Sequence, residues 1–138
     1  MGLKLEHVSY LYGTDTELLV RALDDVNLEI PDGQFIGLIG HTGSGKSTLV
    51  QHLNGLLKPS EGTILFNGEN IWAQDYSRKT LRSKVGLVFQ YPEHQLFETD
   101  VFADVCYGPK NLGLEQGEIE RRAKKALELV GFPEEFFG

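Results

Sequence analysis

A glycine-rich segment at residues 40–47 constrains this chain more than any other part of its sequence. It reads GHTGSGKS and matches the pattern G-x-x-x-x-G-K-[ST]. Its glycines allow a tight backbone curl that turns successive N–H groups inward, where they and the positive end of the following helix can hold anionic oxygen. The segment therefore predicts a phosphate-binding loop that lies between a buried strand and a helix.

The loop predicts ATP or GTP with Mg²⁺ as its ligand. We expect Lys46 to reach the β- and γ-phosphates, Ser47 to place its hydroxyl on Mg²⁺, and Thr48 to bond an α-phosphate oxygen. The main expected role of His41 is to fill space in the loop, and its secondary expected role is a contact with phosphate. The candidate nucleotide-binding residues of the loop are Gly40, His41, Thr42, Gly43, Ser44, Gly45, Lys46, Ser47 and Thr48.

The segments that flank the loop suggest a parallel sheet. Residues 35–39 and 85–89 are unbroken apolar runs, which are typical of strands buried on both faces. From Lys46 onward, apolar residues at helical spacing predict a helix of about three turns, and Gly55 stands where a C-terminal glycine is expected.

The N-terminal region predicts short strands joined by turns. Residues 3–12 and 26–30 alternate between apolar and polar positions, and residues 63–66 form a third candidate strand before an Asn-Gly turn. Residues 13–17 suggest a turn, and residues 77–83 a short helix or loop.

After residue 90 the pattern becomes helical. Thr99 or Asp100 is a candidate cap for a helix that we expect to close at Gly108-Pro109. Residues 118–130 predict a second helix, with Ile119, Ala123, Ala126, Leu127 and Val130 at helical spacing.

Composition and charge exclude several classes of protein. The 138 residues fit one compact domain, and the 41% apolar and 24% charged residues are typical of globular chains. Thirteen basic against twenty acidic side chains argue against nucleic acid as a partner. The single cysteine, Cys106, permits no intrachain disulfide, and no apolar run is long enough to span a membrane. Any role at a membrane would therefore need a partner that holds the protein there.

Beyond the loop, the sequence resembles the ATPase subunits of ABC transporters. In that family an aromatic residue near the end of the first strand stacks on adenine, and its motif position is held here by Tyr12, with Tyr10 as the alternative. Gln90 stands at the position of the family's Q-loop glutamine, which contacts Mg²⁺ or the attacking water and senses the membrane partner. The resemblance implies Lys46 and Gln90 as catalytic residues, and Ser47 and Gln90 as the Mg²⁺ ligands.

Residues 90–114 are similar to the energy-coupling factor branch, which drives uptake of vitamins and of cobalt or nickel. Residues 40–56 look most like the second of the two ATPases in such complexes. The resemblance implies three partners: a second ABC ATPase subunit, an integral membrane coupling protein and a substrate-binding membrane protein. It places the subunit on the cytoplasmic face of the cell membrane, peripherally through these partners, with Gln90 and residues 91–113 as the transmitting surface.

Three family motifs are missing from the sequence: the signature Leu-Ser-Gly-Gly-Gln, a strand ending in Asp-Glu, and a switch histidine. Residues 19–25 are the nearest match to the second, but they contain Arg21 and end in Asp24-Asp25. The two phenylalanines before Gly138 suggest a cut through a longer protein. We therefore expect ATP hydrolysis by the intact parent and little by these 138 residues alone.

The resulting expectation is an α/β fold, with a P-loop core, an antiparallel N-terminal edge and a helical region after Gln90, incomplete at its C-terminus. Residues 1–90 would form the nucleotide-binding core and residues 91–138 the start of a helical subdomain. Two alternatives are a P-loop ATPase of the repair or chromosome-maintenance type, which should show long heptads that this sequence lacks, and a nucleotide-binding module without turnover.

Overall fold

The computed structural model describes residues 2–13 and 20–136, which form two compact units, Met1–Leu87 and Val88–Gly138. Apart from its first residue, the turn expected at residues 13–17 lies outside the described residues, as do the last two residues of the chain.

The first unit contains a four-stranded antiparallel sheet in the order β2-β1-β3-β4. Its strands are β1 (Gly2–Tyr12), β2 (Val20–Pro31), β3 (Glu61–Phe66) and β4 (Glu69–Asn70). The three predicted N-terminal strands are thus confirmed. Apolar and polar residues alternate in the predicted parts of β1 and β2, which gives these strands one face to bury, whereas β3 is a short apolar run before the turn.

A tight turn joins β3 to β4. Both of its central residues, Asn67 and Gly68, have positive φ, at 51° and 83°. This is the conformation of a type I′ turn, which asparagine and glycine adopt readily. The predicted Asn-Gly turn is therefore confirmed.

The three longer strands are irregular at one level of the sheet. His7 and Asp25 have φ values of 51° and 50°, and Gly62 has a φ of 95°. The pairing register shifts on both sides of β1 there. The His7 ring donates from Nδ1 to Asp25 Oδ1 at 2.7 Å, and its backbone N–H donates to Asn27 Oδ1 at 3.0 Å. We call this set of residues, His7, Asp25 and Gly62, the bulge level; such bulges locally increase strand twist.

Two helices complete the first unit, α1 (Lys46–Leu53) and α2 (Arg78–Lys84). The first has eight residues, so it is shorter than the three turns expected. It ends at Leu53, Asn54 is its C-terminal cap, and Gly55 follows with a φ of 77°, as predicted for a C-terminal glycine. The apolar core of the unit consists of Leu5, Val8, Leu23, Ile64, Ile71 and Leu81.

The two predicted parallel strands at residues 35–39 and 85–89 are wrong. Both segments lack strand structure, and Phe35 and Ile39 are fully exposed. A doubly buried strand requires neighbouring strands for its backbone hydrogen bonds and helices for its two faces. Among the described residues, every paired strand belongs to the antiparallel sheet, so neither run has such neighbours.

The second unit is helical, with α3 (Val101–Asn111) and α4 (Gln116–Leu129) packed on each other. The Asp100 side chain caps α3 by accepting from the Ala103 N–H at 2.7 Å. The helix continues through Gly108-Pro109, contrary to the expected stop. Because Pro109 has no N–H, the last turn of α3 lacks one helical hydrogen bond. The helix ends at Asn111, shortly before Gly113, whose φ is 75°.

Helix α4 buries a narrower apolar face than its sequence suggested. Ile119, Ala123 and Leu127 are buried, whereas Ala126 and Val130 are exposed. The buried three lie four residues apart and so share one stripe of the helix. Within residues 2–13 and 20–136, no helix is long and apolar enough to cross a membrane.

Candidate nucleotide-binding site

The glycine-rich loop leads directly into the start of α1. Gly43 and Gly45 have φ values of 86° and 98°, a region that glycine occupies without a steric penalty. The Ser44 N–H donates to the His41 carbonyl at 3.1 Å, which closes the turn. Gly45 forms the N-terminal cap of α1, and no side chain caps the helix there.

Two glycines of the loop lie in close contact with other atoms, and at Gly45 the neighbouring atom belongs to the backbone and cannot rotate away. A Cβ added at Gly45 would lie 2.7 Å from the carbonyl oxygen of Ala22 in β2. A Cβ at Gly40 would lie 2.6 Å from Ser44 Oγ. The loop is therefore held against the antiparallel sheet at one end and folded tightly on itself at the other.

Lys46 bends back over the loop. Its Nζ donates to the carbonyl of Gly40, to the carbonyl of His41 at 2.7 Å and to Ser44 Oγ at 3.2 Å. All three acceptors are neutral, whereas a phosphate would offer charged oxygens that form stronger hydrogen bonds with an ammonium group. The arrangement thus places a cation at the loop, where an anionic ligand could replace its present partners.

The structure joins two candidate residues that lie far apart in the sequence. Tyr12, at the end of β1, and Thr48, in the first turn of α1, form a hydrogen bond of 2.9 Å between their hydroxyl oxygens. Thr48 is buried, while Tyr12 keeps 42% of its surface exposed. The Tyr12 ring is therefore fixed beside the loop and remains accessible to a planar ligand. The alternative, Tyr10, packs edge to face against Tyr12, with ring centroids 4.8 Å apart.

His52 belongs to the same group of contacts, although it is not among the site residues predicted from the sequence. Its side chain is fully buried, and its Nδ1 donates to the Thr48 carbonyl at 2.7 Å. Burial lowers the pKa of His52 below its usual value, and the hydrogen bond to Thr48 only partly opposes this. The sequence feature that could have indicated this contact is the spacing of Thr48 and His52, because residues four apart in a helix share a face.

Magnesium fits the loop through Ser47. This residue lies exposed in the first turn of α1, where its hydroxyl could take one coordination position. No cluster of three metal-ligating side chains exists among the described residues, but Mg²⁺ with a nucleotide usually takes few protein ligands and completes its shell with phosphates and water. Gln90 is exposed and belongs to the second unit, so its catalytic and metal-binding roles stay predictions.

The remaining loop residues are open to solvent. His41, Thr42, Gly43 and Ser44 are exposed, and the His41 ring interacts through Nδ1 with the Thr42 carbonyl at 2.9 Å. The His41 ring thus makes a local contact, and its two expected roles in the loop stay predictions.

Comparison with known families gives a match to the ABC transporter family over residues 23–136. The energy-coupling factor transporter ATP-binding protein EcfA2 of Caldanaerobacter subterraneus subsp. tengcongensis is 53% identical over 135 residues, which cover 98% of this chain and 47% of the relative. The protein of the same name from Clostridium tetani is 52% identical over 131 residues, covering 95% of this chain and 46% of the relative. The chain thus spans about half the length of the curated relatives it matches.

Solved structures show the same relationship. The structure of cbiO1 from Clostridium perfringens, described as part of the ABC transporter complex cbiONQ, is 42% identical with a TM-score of 0.77, over 98% of this chain and 52% of that one. An ATP-binding cassette solved as a dimer with ADP and phosphate is 27% identical with a TM-score of 0.79, over 98% of this chain and 60% of that one. These neighbours confirm the expected fold class, including its antiparallel N-terminal sheet.

Proposed function

This chain belongs to the ABC transporter family, and on that premise we propose that it is the N-terminal part of the ATP-binding subunit of an energy-coupling factor transporter. One observation supports ATP binding above the others: the hydrogen bond between the hydroxyls of Tyr12 and Thr48 brings a candidate base-stacking ring to the helix that follows the glycine-rich loop. The names of the relatives, at 53% and 52% identity, support the transporter branch.

In this proposal the loop binds and orients the nucleotide. The backbone N–H groups of residues 40–47 hold phosphate oxygens, and Lys46 exchanges its carbonyl partners for the β- and γ-phosphates. Tyr12 stacks on the base, a contact that contributes about 1–3 kcal/mol. Ser47 would hold Mg²⁺, which when bound neutralises charge on the phosphate oxygens. Gln90 would sense the membrane partner and contact the metal or the attacking water.

We assign turnover to the intact subunit. The residues described here bind and position ATP, but hydrolysis also requires an acidic residue that polarises water. The motifs expected to supply it are absent from this sequence. The 138 residues alone should therefore bind ATP and hydrolyse it slowly or not at all.

We also propose the partners and location implied by the relatives. A second ATPase subunit would pair with this one, and a membrane coupling protein and a substrate-binding membrane protein would hold the pair at the cytoplasmic face. The named complex of the cbiO1 neighbour supports such an assembly. Residues 91–113, in the second unit, would contact the coupling protein; Tyr91, Leu96 and Phe97 are exposed there. Residues 1–90 would remain the nucleotide-binding core.

Calorimetric titration with Mg-ATP tests the binding step. Lys46→Ala should weaken affinity by about 10- to 100-fold, the cost of losing charge-assisted hydrogen bonds. Lys79→Ala is the matched control, because Lys79 is an exposed lysine on α2 and should leave the affinity unchanged. Equal affinities for the wild type and Lys46→Ala would contradict the proposal. Phosphate release, followed in parallel on the intact subunit, distinguishes an ATPase from a nucleotide-binding module without turnover.

A further inference from the structure

Four side chains beside the loop form a closed circuit of contacts. Tyr12 is hydrogen-bonded to the Thr48 hydroxyl at 2.9 Å, and the Thr48 carbonyl accepts from His52 Nδ1 at 2.7 Å. The His52 ring lies edge to face with Tyr10 at 4.9 Å, and Tyr10 lies edge to face with Tyr12 at 4.8 Å. We call these residues, Tyr10, Tyr12, Thr48 and His52, the aromatic circuit.

The contact with Thr48 determines which ring nitrogen of His52 carries a proton. A carbonyl can only accept, so Nδ1 carries the proton that bonds Thr48. Burial lowers the pKa of His52, which favours the neutral ring, and in that ring Nε2 is an acceptor. Nε2 is buried and has no hydrogen-bond partner in the described part of the chain. An apolar side chain would avoid that unfavourable burial, but it could not bond the Thr48 carbonyl. The histidine thus combines a ring that packs on Tyr10 with a donor that binds α1.

We propose that His52 is a positioning residue for the nucleotide base, because it fixes Tyr10 against Tyr12 and so holds the Tyr12 ring in one orientation at the loop. This inference rests on the proposed function, in which Tyr12 stacks on the base. Most of the predicted phosphate contacts lie outside the circuit, since they are made by Lys46 and the loop N–H groups. Thr48 is the one residue of the circuit that also has a predicted phosphate contact.

The physical basis is the entropy of the Tyr12 side chain. Tyr12 is half-exposed, so its side chain would lose conformational entropy on ligand binding unless other contacts had already fixed it. An edge-to-face pair holds a ring in place at a free-energy gain that corresponds to about 2- to 10-fold in affinity. Loss of the His52 ring should therefore weaken binding of a ligand with a base and leave a ligand without a base almost unaffected.

The test compares Mg-ATP with Mg-tripolyphosphate by calorimetry on the intact subunit. His52→Asn places an amide donor near the position of Nδ1 but removes the ring, whereas His52→Phe keeps a ring and removes the donor. We expect His52→Asn to weaken ATP about 2- to 10-fold with tripolyphosphate affinity unchanged, and His52→Phe to affect ATP less. In a Tyr12→Ala background, His52→Asn should have no further effect on ATP affinity.

Several outcomes would overturn the inference. Equal weakening of both ligands by His52→Asn would mean that the residue only supports the loop, and unchanged ATP affinity would mean that it positions nothing. If the His52 variants do not fold, Tyr10→Leu tests the same contact from the other side, and it must reproduce the selective loss for ATP. Failure of the wild type to bind either ligand would instead contradict the proposed function itself.

Discussion

The guanidinium of Arg82 donates to the Gly55 carbonyl at 2.9 Å and to the Asn54 carbonyl at 3.3 Å. Asn54 and Gly55 end the helix that begins at the phosphate loop, where helical carbonyls lack partners within the helix. A positive charge at that end is also favoured by the helix dipole. Helix α2 therefore closes the C-terminal end of α1 through one side chain.

Arg82→Met should lower the free energy of unfolding by about 1 kcal/mol, because it removes these hydrogen bonds but keeps much of the side-chain length. Urea denaturation followed by circular dichroism measures the change. Lys79→Met, on the same helix and exposed, is the control and should change the unfolding free energy by less than about 0.5 kcal/mol. Equal effects of the two substitutions would show that the Arg82 contacts contribute nothing to stability.

Gly45→Ala should destabilise the first unit by about 1–3 kcal/mol, since alanine at positive φ is strained and its Cβ would collide with the Ala22 carbonyl. Gly37→Ala is the control, because a Cβ there meets no atom within 4 Å and the φ is not positive. Thermal unfolding of the two variants should separate them clearly. A Gly45→Ala variant as stable as Gly37→Ala would refute the close approach of loop and sheet.

Glu118, in the first turns of α4, should titrate far below an ordinary glutamate. Hydrogen bonds from Arg121 and then Arg122, at distances of 2.6–2.8 Å, lower the pKa of Glu118 to about 2. A lowered folded-state pKa means that the unfolded chain binds more protons in acid. The contribution of Glu118 to stability is therefore present above pH 4.5, the ordinary value, and is lost as the pH falls toward 2.

Carboxyl chemical shifts recorded during an acid titration check this pKa directly. Glu118→Gln should abolish the corresponding change in stability between pH 4.5 and 2. The effect should be modest and should decrease with added salt, because the ion pairs lie on the surface. A titration midpoint near 4.5 would mean that the two arginines do not hold the carboxylate in solution.

Features that depend on neighbouring residues in the sequence were predictable. The helix beginning at Lys46, the glycine after it and the Asn67-Gly68 turn all follow from backbone preferences that act over a few residues. The alternation of residues 3–6 likewise indicates the buried face at the start of β1 without reference to the rest of the chain.

Features that depend on distant residues were predicted poorly. The apolar run at residues 35–39 indicates what a segment would bury, but not whether strands and helices lie beside it. His52 was missed for a similar reason, since its importance arises from Tyr10 and Tyr12, about forty residues earlier and on another element. Only the folded sheet brings these rings to α1.

The bulge level also determines which side chains of β1 after it lie on the face toward α1. Successive side chains of a strand point to opposite faces, so every second residue after the bulge faces α1. Tyr10 and Tyr12 lie on that face and contact the helix, whereas Leu11 lies on the opposite face. Inserting or deleting a single residue between the bulge level and Tyr10 would turn both tyrosines away from α1 and Leu11 toward it. The irregularity at His7, Asp25 and Gly62 thus determines, from several residues away, that an aromatic surface faces the helix that follows the glycine-rich loop.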